Sequence, residues 1–549
     1  MFVSDTIVIK IDSLTGYLLN RLITKNHKMK RNIMLFFLPV LFSTALFAQS
    51  GSANRIILAA DNPGPVISKD IYGQFSEHLG ACIYGGLWVG KDSPIPNKDG
   101  VRLDVLNALK AMKIPNLRWP GGCFADTYHW RDGIGPQSQR ASIVNVNWGG
   151  VTEDNSFGTN EFMALVGDLG CDAYINGNVG TGSPKEMSEW VEYLTSANKS
   201  PVTDLRKQTG REEPWKVKYF AIGNENWGCG GNMTAAYYAD QMRQYSTFLR
   251  DYSGNSLYRI ACGPAGDDFK WTETLMKDPA TRSMFQGISI HYYSFVDGWD
   301  YKGYATDFTE REWFETFRLN WDMDRILKVH EAIMNLYDPQ NTKGLIVDEW
   351  GNWFRVEPGT NPAFLFQQNT MRDAITAAIH LNIFNNHAAR VKMANIAQLA
   401  NVLQSVILTK GDKMVLTPTY YVFRMFSVHQ DARLLPMDIK CENYTYDGKS
   451  IPAVSASASV DGNGVIHISL ANLNPSHEID MICIIEGITP GQISGEILTA
   501  PEMNSYNSFE DQFAIKPAAF SAFRVKDKNL EVSLPSKSVV VLEIKQKMK

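Results

Sequence analysis

From residue 71 to about residue 400 one theme recurs eight times: a short apolar run ends in polar residues or glycine, and a longer stretch with apolar side chains at helical spacing follows. The runs at 71–75, 114–119, 172–179, 217–222, 259–263, 287–291, 344–347 and 393–399 are the strand candidates. Segments 160–169, 184–195, 235–250, 320–334 and 364–385 carry the period of amphipathic helices. Strand and helix alternating eight times indicate an α/β fold, a closed parallel (β/α)8 or TIM barrel.

The texture changes after residue 424. Segments 453–460, 465–470, 480–485, 493–498, 521–525 and 538–544 are short, often alternating, and separated by turn signals such as Asp461-Gly462-Asn463-Gly464. They predict an all-β sandwich, jelly-roll-like, over residues 425–549, beside a barrel over 67–424. Residues 55–60 also read as a strand, so 54–66 is expected to join the sandwich from in front of the barrel. A chain of 549 residues exceeds one ordinary core, which suits one large domain and one smaller. A formal charge of -5 argues against a polyanionic partner, so nucleic acid is not an expected ligand. Thirteen Trp and 22 Tyr suit stacking on carbohydrate, although most serve packing.

Lys28, Lys30 and Arg31 precede an apolar run over 32–48 that closes in Leu46-Phe47-Ala48, the layout of a secretory signal peptide. Met29 is read as the true start, residues 1–28 as an upstream extension, and Ala48 as the last residue removed, which predicts a secreted or periplasmic protein. The alternative, a membrane anchor, fails because the run is shorter than the ~20 residues of a spanning helix. The seven cysteines (82, 123, 171, 229, 262, 441 and 483) are an odd, scattered set that does not read as a disulfide framework or a metal site.

In such barrels the reacting groups collect at the C-terminal ends of the strands. There the sequence places Glu77-His78, Arg118 with a W-P-G-G turn and Cys123, Asn176 and Asn178, Asn224-Glu225-Asn226, His291-Tyr292-Tyr293, Asp348-Glu349-Trp350 and Gln398. Glutamates after the fourth and seventh strands, nearly opposite around the ring, are what glycoside hydrolysis needs. One carboxylic acid protonates the leaving oxygen while a carboxylate on the other face meets the anomeric carbon. A gap of ~5–5.5 Å gives retention and ~6.5–9.5 Å inversion, which sequence cannot measure. Asn224 fits a substrate-orienting role, Arg118 favours an ionised carboxylate beside it, and Tyr293 can donate a hydrogen bond to the nucleophile.

Each position has a plainer reading. An N-E or D-E pair is common on any surface; it is the joint placement, each after an apolar run and before Trp, that singles these out. Arg118 and Glu77 could equally form a structural ion pair. His78, His129 and His291 lack a ligand spacing, the 228–231 glycine cluster lacks a phosphate-loop pattern, and Cys123 with His129 lacks a third orienting group for thiol catalysis.

The chain resembles glycoside hydrolase family 51, the α-L-arabinofuranosidases, from about residue 71 to the C-terminus. The motifs are I-Y-G-Q-F-S-E-H-L-G at 71–80, Y-G-G-L-W at 84–88, L-R-W-P-G-G at 117–122, Y-H-W-R-D-G-I-G-P at 128–136, G-N-E-N-W at 223–227, S-I-H-Y-Y at 289–293, D-E-W at 348–350 and Q-L-A-N-V at 398–402. The resemblance implies Glu225 as acid/base and Glu349 as nucleophile. It implies Glu77, Arg118, Asn224, Tyr293 and Gln398 as contacts to the arabinose ring or the nucleophile. Where many members carry Asn, this chain has Cys123, so that sugar contact is either lost or made by a thiol. It further implies exo-acting release of arabinofuranose from arabinan- or arabinoxylan-type material, frequent homo-oligomers, and no metal or organic cofactor. Two other readings stand beside it: an endo-glucanase or xylosidase on the same scaffold, and a glycan-binding protein that has lost catalysis.

Overall fold

The computed structural model describes residues 54–547. The expected upstream extension and signal peptide, residues 1–48, lie outside them. Eight strands close a barrel: β1 (Gly73–Phe75), β2 (Asn116–Trp119), β3 (Asp172–Gly177), β4 (Tyr219–Ile222), β5 (Tyr258–Ala261), β6 (Gly287–Ser294), β7 (Gly344–Asn352) and β8 (Val391–Ile396). Every neighbouring pair is parallel, β8 with β1 included. After each strand comes a main helix: α1 (Leu103–Met112), α2 (Thr159–Leu169), α3 (Pro184–Thr195), α4 (Ala235–Phe248), α5 (Phe269–Lys277), α6 (Glu310–Tyr337), α7 (Met371–Asn386) and α8 (Pro418–Phe426). The starts of α3 and α8 show the local cause: Ser183 and Thr417 accept an N–H of the first turn, and a proline with its φ already helical follows each. Tyr174, Tyr219, Ile260, Ile346 and Met393 fill the centre, so the barrel is a packed core and not a pore.

Two strands run past their apolar segments. The patterns at 287–291 and 344–347 become Gly287–Ser294 and Gly344–Asn352, because the ladder continues through His291, Tyr293, Asp348 and Glu349. Hydropathy stops where the polar site starts, while backbone pairing does not. Conversely, 69–72 forms a tight 3-10 turn, so β1 begins at Gly73.

Behind the barrel, two sheets make the expected β-sandwich. One has six strands in the order Arg433–Leu434, Val454–Val460, Ile466–Asn472, Ser538–Gln546, Pro490–Thr499, Ala518–Ala519. The other has five: Met437–Lys440, Arg55–Ala59, Ile479–Glu486, Asn529–Leu534, Phe523–Lys526. Helix α7 lies between barrel and sandwich, and every residue from Met371 to Asn385 is buried. The V-S-A-S-A-S-V strand lets it approach, since Asn382 and Asn385 exchange hydrogen bonds with Ser455, Ser457 and Ser469 at 2.7–3.2 Å. No helix among the described residues is long and apolar enough to cross a membrane.

Candidate active site

Glu225 stands three residues beyond β4 with φ +42°, a left-handed conformation that non-glycine residues adopt only where surroundings enforce it. The turn is forced locally. Gly223 has φ +84°, and a Cβ there would lie 2.1 Å from Asn226 Oδ1. The buried Asp126 holds the same turn from the β2 side, accepting Asn224 N–H at 2.8 Å and, from the β3 loop, Val179 and Gly180 N–H at 2.6 and 2.7 Å. Glu349 lies within β7, opposite His291 of β6 in register. An irregularity in the β7–β8 ladder between Val347 and Trp350 breaks the alternation, so Asp348 and Glu349 both turn inward.

The two glutamates meet through His291. Its Nδ1 lies 2.8 Å from Glu225 Oε1 and 3.5 Å from Glu349 Oε2, and ligand-type atoms of the three residues lie within 4.8 Å of one another. Arg118 fixes the other oxygen of Glu349: Nη1 donates to Oε1 at 2.8 Å, while Nη2 donates to Asn224 Oδ1 at 2.6 Å. Tyr293 Oη donates to Glu349 Oε2 at 2.8 Å. Both glycines of the R-W-P-G-G motif make room for carboxylates, since a Cβ at Gly121 would press on Glu77 Cγ at 2.6 Å and one at Gly122 on Glu349 Oε1 at 2.7 Å. Glu77 accepts from Phe124 N–H, Trp148 Nε1 and Gln398 Nε2 at 2.9–3.1 Å. Arg118 thus pairs with Asp348 and Glu349, and not with Glu77.

Burial raises the pKa of Glu225, and the charge of Glu349 adds to this, while His291 opposes it. Burial and Glu349 likewise push Glu77 up to about 7. For His291, burial disfavours the cation, but Glu349, Asp348 and Glu225 outweigh it and bring it to about 10. Asp348 moves the other way: Arg118 and His291 overcome its burial and hold it below the usual range. His291 thus bonds Glu225 through Nδ1 and faces Asp348 Oδ1 with Nε2 at 3.2 Å, beside an acid whose pKa burial raises.

Asn224 Nδ2 and Gln398 Oε1 are among the buried polar atoms that lack a hydrogen-bond partner in the described residues. Since Arg118 pins Asn224 Oδ1, the amide presents its N–H donors to the site. Both line the site, where a hydroxyl of a bound molecule would satisfy them.

Of the residues picked out by sequence, Glu77, Arg118, Asn224, Glu225, Tyr293, Glu349 and Gln398 converge. Cys123 needs correction: it offers no free thiol to a sugar but is disulfide-bonded to Cys229, in a set of cysteines that does not read as a disulfide framework. The partners are 106 residues apart, and only the fold brings the β2 and β4 loops together. His129 pairs with Glu186 at 2.8 Å, and His78 accepts from Trp119 Nε1 at 3.2 Å. Asp126 and Trp148 escaped notice because both sit in the irregular segment after β2, where no periodicity marks a side chain as inward.

Opposed glutamates on strands four and seven of a (β/α)8 barrel, set among buried polar groups, belong to a glycoside hydrolase. Residues 108–311 match the family described as Alpha-L-arabinofuranosidase 1 domain and residues 348–538 the Alpha-L-arabinofuranosidase C-terminal domain. A Bacteroides ovatus protein named "Intracellular exo-alpha-L-arabinofuranosidase" is 50% identical over 92% of this chain and 99% of its own length. The crystal structure of the GH51 arabinofuranosidase from Xanthomonas axonopodis pv. citri superposes with a TM-score of 0.88 at 46% identity, over 90% of this chain and 100% of that one. That of the Thermotoga maritima α-L-arabinofuranosidase arabinose complex gives 0.79 at 29%, with the same coverage. The chain belongs to glycoside hydrolase family 51, the α-L-arabinofuranosidases. The export expected from residues 28–48 is overturned by the Bacteroides relative, which is named intracellular. An apolar run behind a basic cluster is a compositional signal, and it does not fix a protein's address.

Proposed function

We propose that this chain is a retaining, exo-acting α-L-arabinofuranosidase that removes terminal arabinofuranose from arabinan- or arabinoxylan-type substrates. The observation that carries the reading is the approach of the Glu225 and Glu349 carboxylate oxygens to within 4.8 Å around one imidazole. A gap of that order suits direct attack; a water between the carboxyls needs ~6.5–9.5 Å. The exo habit and the sugar follow the printed names of the relatives.

In the first step the protonated Glu225 gives its proton to the departing glycosidic oxygen while Glu349 Oε bonds to the anomeric carbon. Arg118 and Tyr293 hold the nucleophile's two oxygens in place. Asn224 Nδ2 donates to the hydroxyl beside the reacting carbon, and Glu77 with Gln398 holds hydroxyls farther round the ring. In the second step Glu225, now a carboxylate, takes a proton from water, which attacks the same carbon and releases Glu349.

The test is kinetic. Glu349→Ala abolishes turnover of nitrophenyl α-L-arabinofuranoside, and azide restores it with a product of inverted configuration. Glu225→Ala loses roughly 10²–10⁴-fold on arabinan and far less on substrates with good leaving groups. Unchanged arabinan turnover in either variant refutes the assignment.

A further inference from the structure

The disulfide lies against the acid/base. Gly228 and Gly230 N–H both donate to the Glu225 carbonyl, at 2.7 and 3.1 Å, closing a turn that folds Cys229 back over the Glu225 side chain. Cys229 Sγ is 3.4 Å and Cys123 Sγ 3.9 Å from Glu225 Oε2. A disulfide sulfur carries no proton, so neither contact is a hydrogen bond. We propose that Cys123, Cys229 and Glu225 become, once the disulfide is reduced, a binding site for a thiophilic divalent cation of the zinc class, and that its occupancy withdraws Glu225 from hydrolysis. The second half rests on the acid/base role given to Glu225 above; the first does not.

The geometry suits such an ion. Tetrahedral zinc with Zn–S of about 2.3 Å and Zn–O of about 2.0 Å has sulfur-to-oxygen edges of about 3.5 Å, which the two present distances bracket. The sulfur-to-sulfur edge is about 3.8 Å, reached by side-chain rotation alone when Cα atoms stand 5.5 Å apart. Cys229 is exposed, which gives reductant and cation a way in and leaves the fourth position to water. The second cluster at the site, Glu225 with His291 and Glu349, is a poor rival because it offers no thiolate and Arg118 and Tyr293 already engage both Glu349 oxygens at 2.8 Å.

The chemistry balances. Two molecules of a monothiol of the glutathione class reduce the Cys123–Cys229 bond, giving two cysteine thiols and the disulfide of the monothiol. The cation then displaces two thiol protons and accepts the Glu225 carboxylate as third ligand. Thiol pools hold most cytosolic cysteines reduced, so the cation site would be the standing form in such a compartment.

The experiment uses the full chain, oxidised or reduced and desalted under argon, with Co2+ as the probe. The reduced enzyme should take up one Co2+ per chain with a near-ultraviolet thiolate-to-cobalt absorption that Zn2+ abolishes by displacement. The oxidised enzyme, with the same five free cysteines, should show none. Stoichiometric Zn2+ should lower kcat/KM of the reduced enzyme about 100-fold, reversed by a chelator, with little effect on the oxidised form. Cys229→Ser should lose the absorption, and Glu225→Gln should weaken cobalt binding about tenfold while keeping it. Absence of the absorption, its equal presence in oxidised enzyme or in Cys229→Ser, or unweakened binding by Glu225→Gln overturns the site. Absorption without loss of rate upholds the site and refutes Glu225 as acid/base.

Discussion

His291 couples the two glutamates, and its effect on Glu225 has a definite sign. Its hydrogen bond and charge both favour the ionised carboxylate, opposing the burial that raises the Glu225 pKa. Replacing it with a side chain that cannot carry charge removes that opposition, so the Glu225 pKa rises further. The protonated acid needed for the first step then survives to higher pH. His291→Gln is therefore expected to move the alkaline limb of the kcat/KM profile upward by about a unit, with a lower plateau because Glu225 is less well oriented. A profile that keeps its limb while the plateau falls would reduce His291 to a packing residue. Glu225 and Glu349 themselves were legible in the sequence because each follows an apolar run that points it at the barrel mouth. The bridging role of His291 was not, since it depends on two irregular ladders turning neighbouring strands toward each other.

At the scale of elements, the site is a meeting of loops that Asp126 ties together. Its carboxylate receives N–H groups from residues 53, 54 and 98 positions away, spanning the loops after β2, β3 and β4. Removing it strands two buried donors and one part-buried donor. Asp126→Ala should cost about 3 kcal/mol in unfolding free energy and lower kcat/KM as the Asn224–Glu225 turn loosens. Asp126→Asn, which keeps one acceptor oxygen, should recover part of both, as urea denaturation and steady-state kinetics will show. Equal losses in the two variants would mean that one remaining acceptor restores nothing, so that the tie needs both carboxylate oxygens or their charge. The eight-fold alternation of strand and helix could be read from periodicity because each element buries one face. Such a tie could not, for its partners are backbone groups, which carry no sequence signal. The Cys123–Cys229 bond was hidden for the same kind of reason, its partners being neighbours only after the barrel closes.

Over the described residues, barrel and sandwich are joined by contacts that run from site to sandwich. Trp350, next to Glu349, is fully buried against His380 and Phe384 of α7, with ring centroids at 5.1 and 5.4 Å. The opposite side of α7 hydrogen-bonds the serines of the six-stranded sheet. The facing sheet depends on Arg55–Ala59, a strand from before the barrel that lies between Met437–Lys440 and Ile479–Glu486 and buries Ile56 and Leu58 completely. Sequence on both sides of the barrel thus builds the layer that covers α7. Ile56→Ala should cost about 2–5 kcal/mol by opening a cavity there, while its half-exposed neighbour Ile57→Ala should cost under about 1 kcal/mol. Because α7 is packed on both domains, the loss should appear as a shift of one cooperative transition, followed alike by tryptophan fluorescence and by residual arabinofuranosidase activity. At 25 °C kcat/KM should be unchanged, since the substitution touches nothing near Glu225 or Glu349. If scanning calorimetry instead shows an early sandwich transition moved by Ile56→Ala and a barrel transition left in place, barrel and sandwich fold independently and α7 is not the element that joins them.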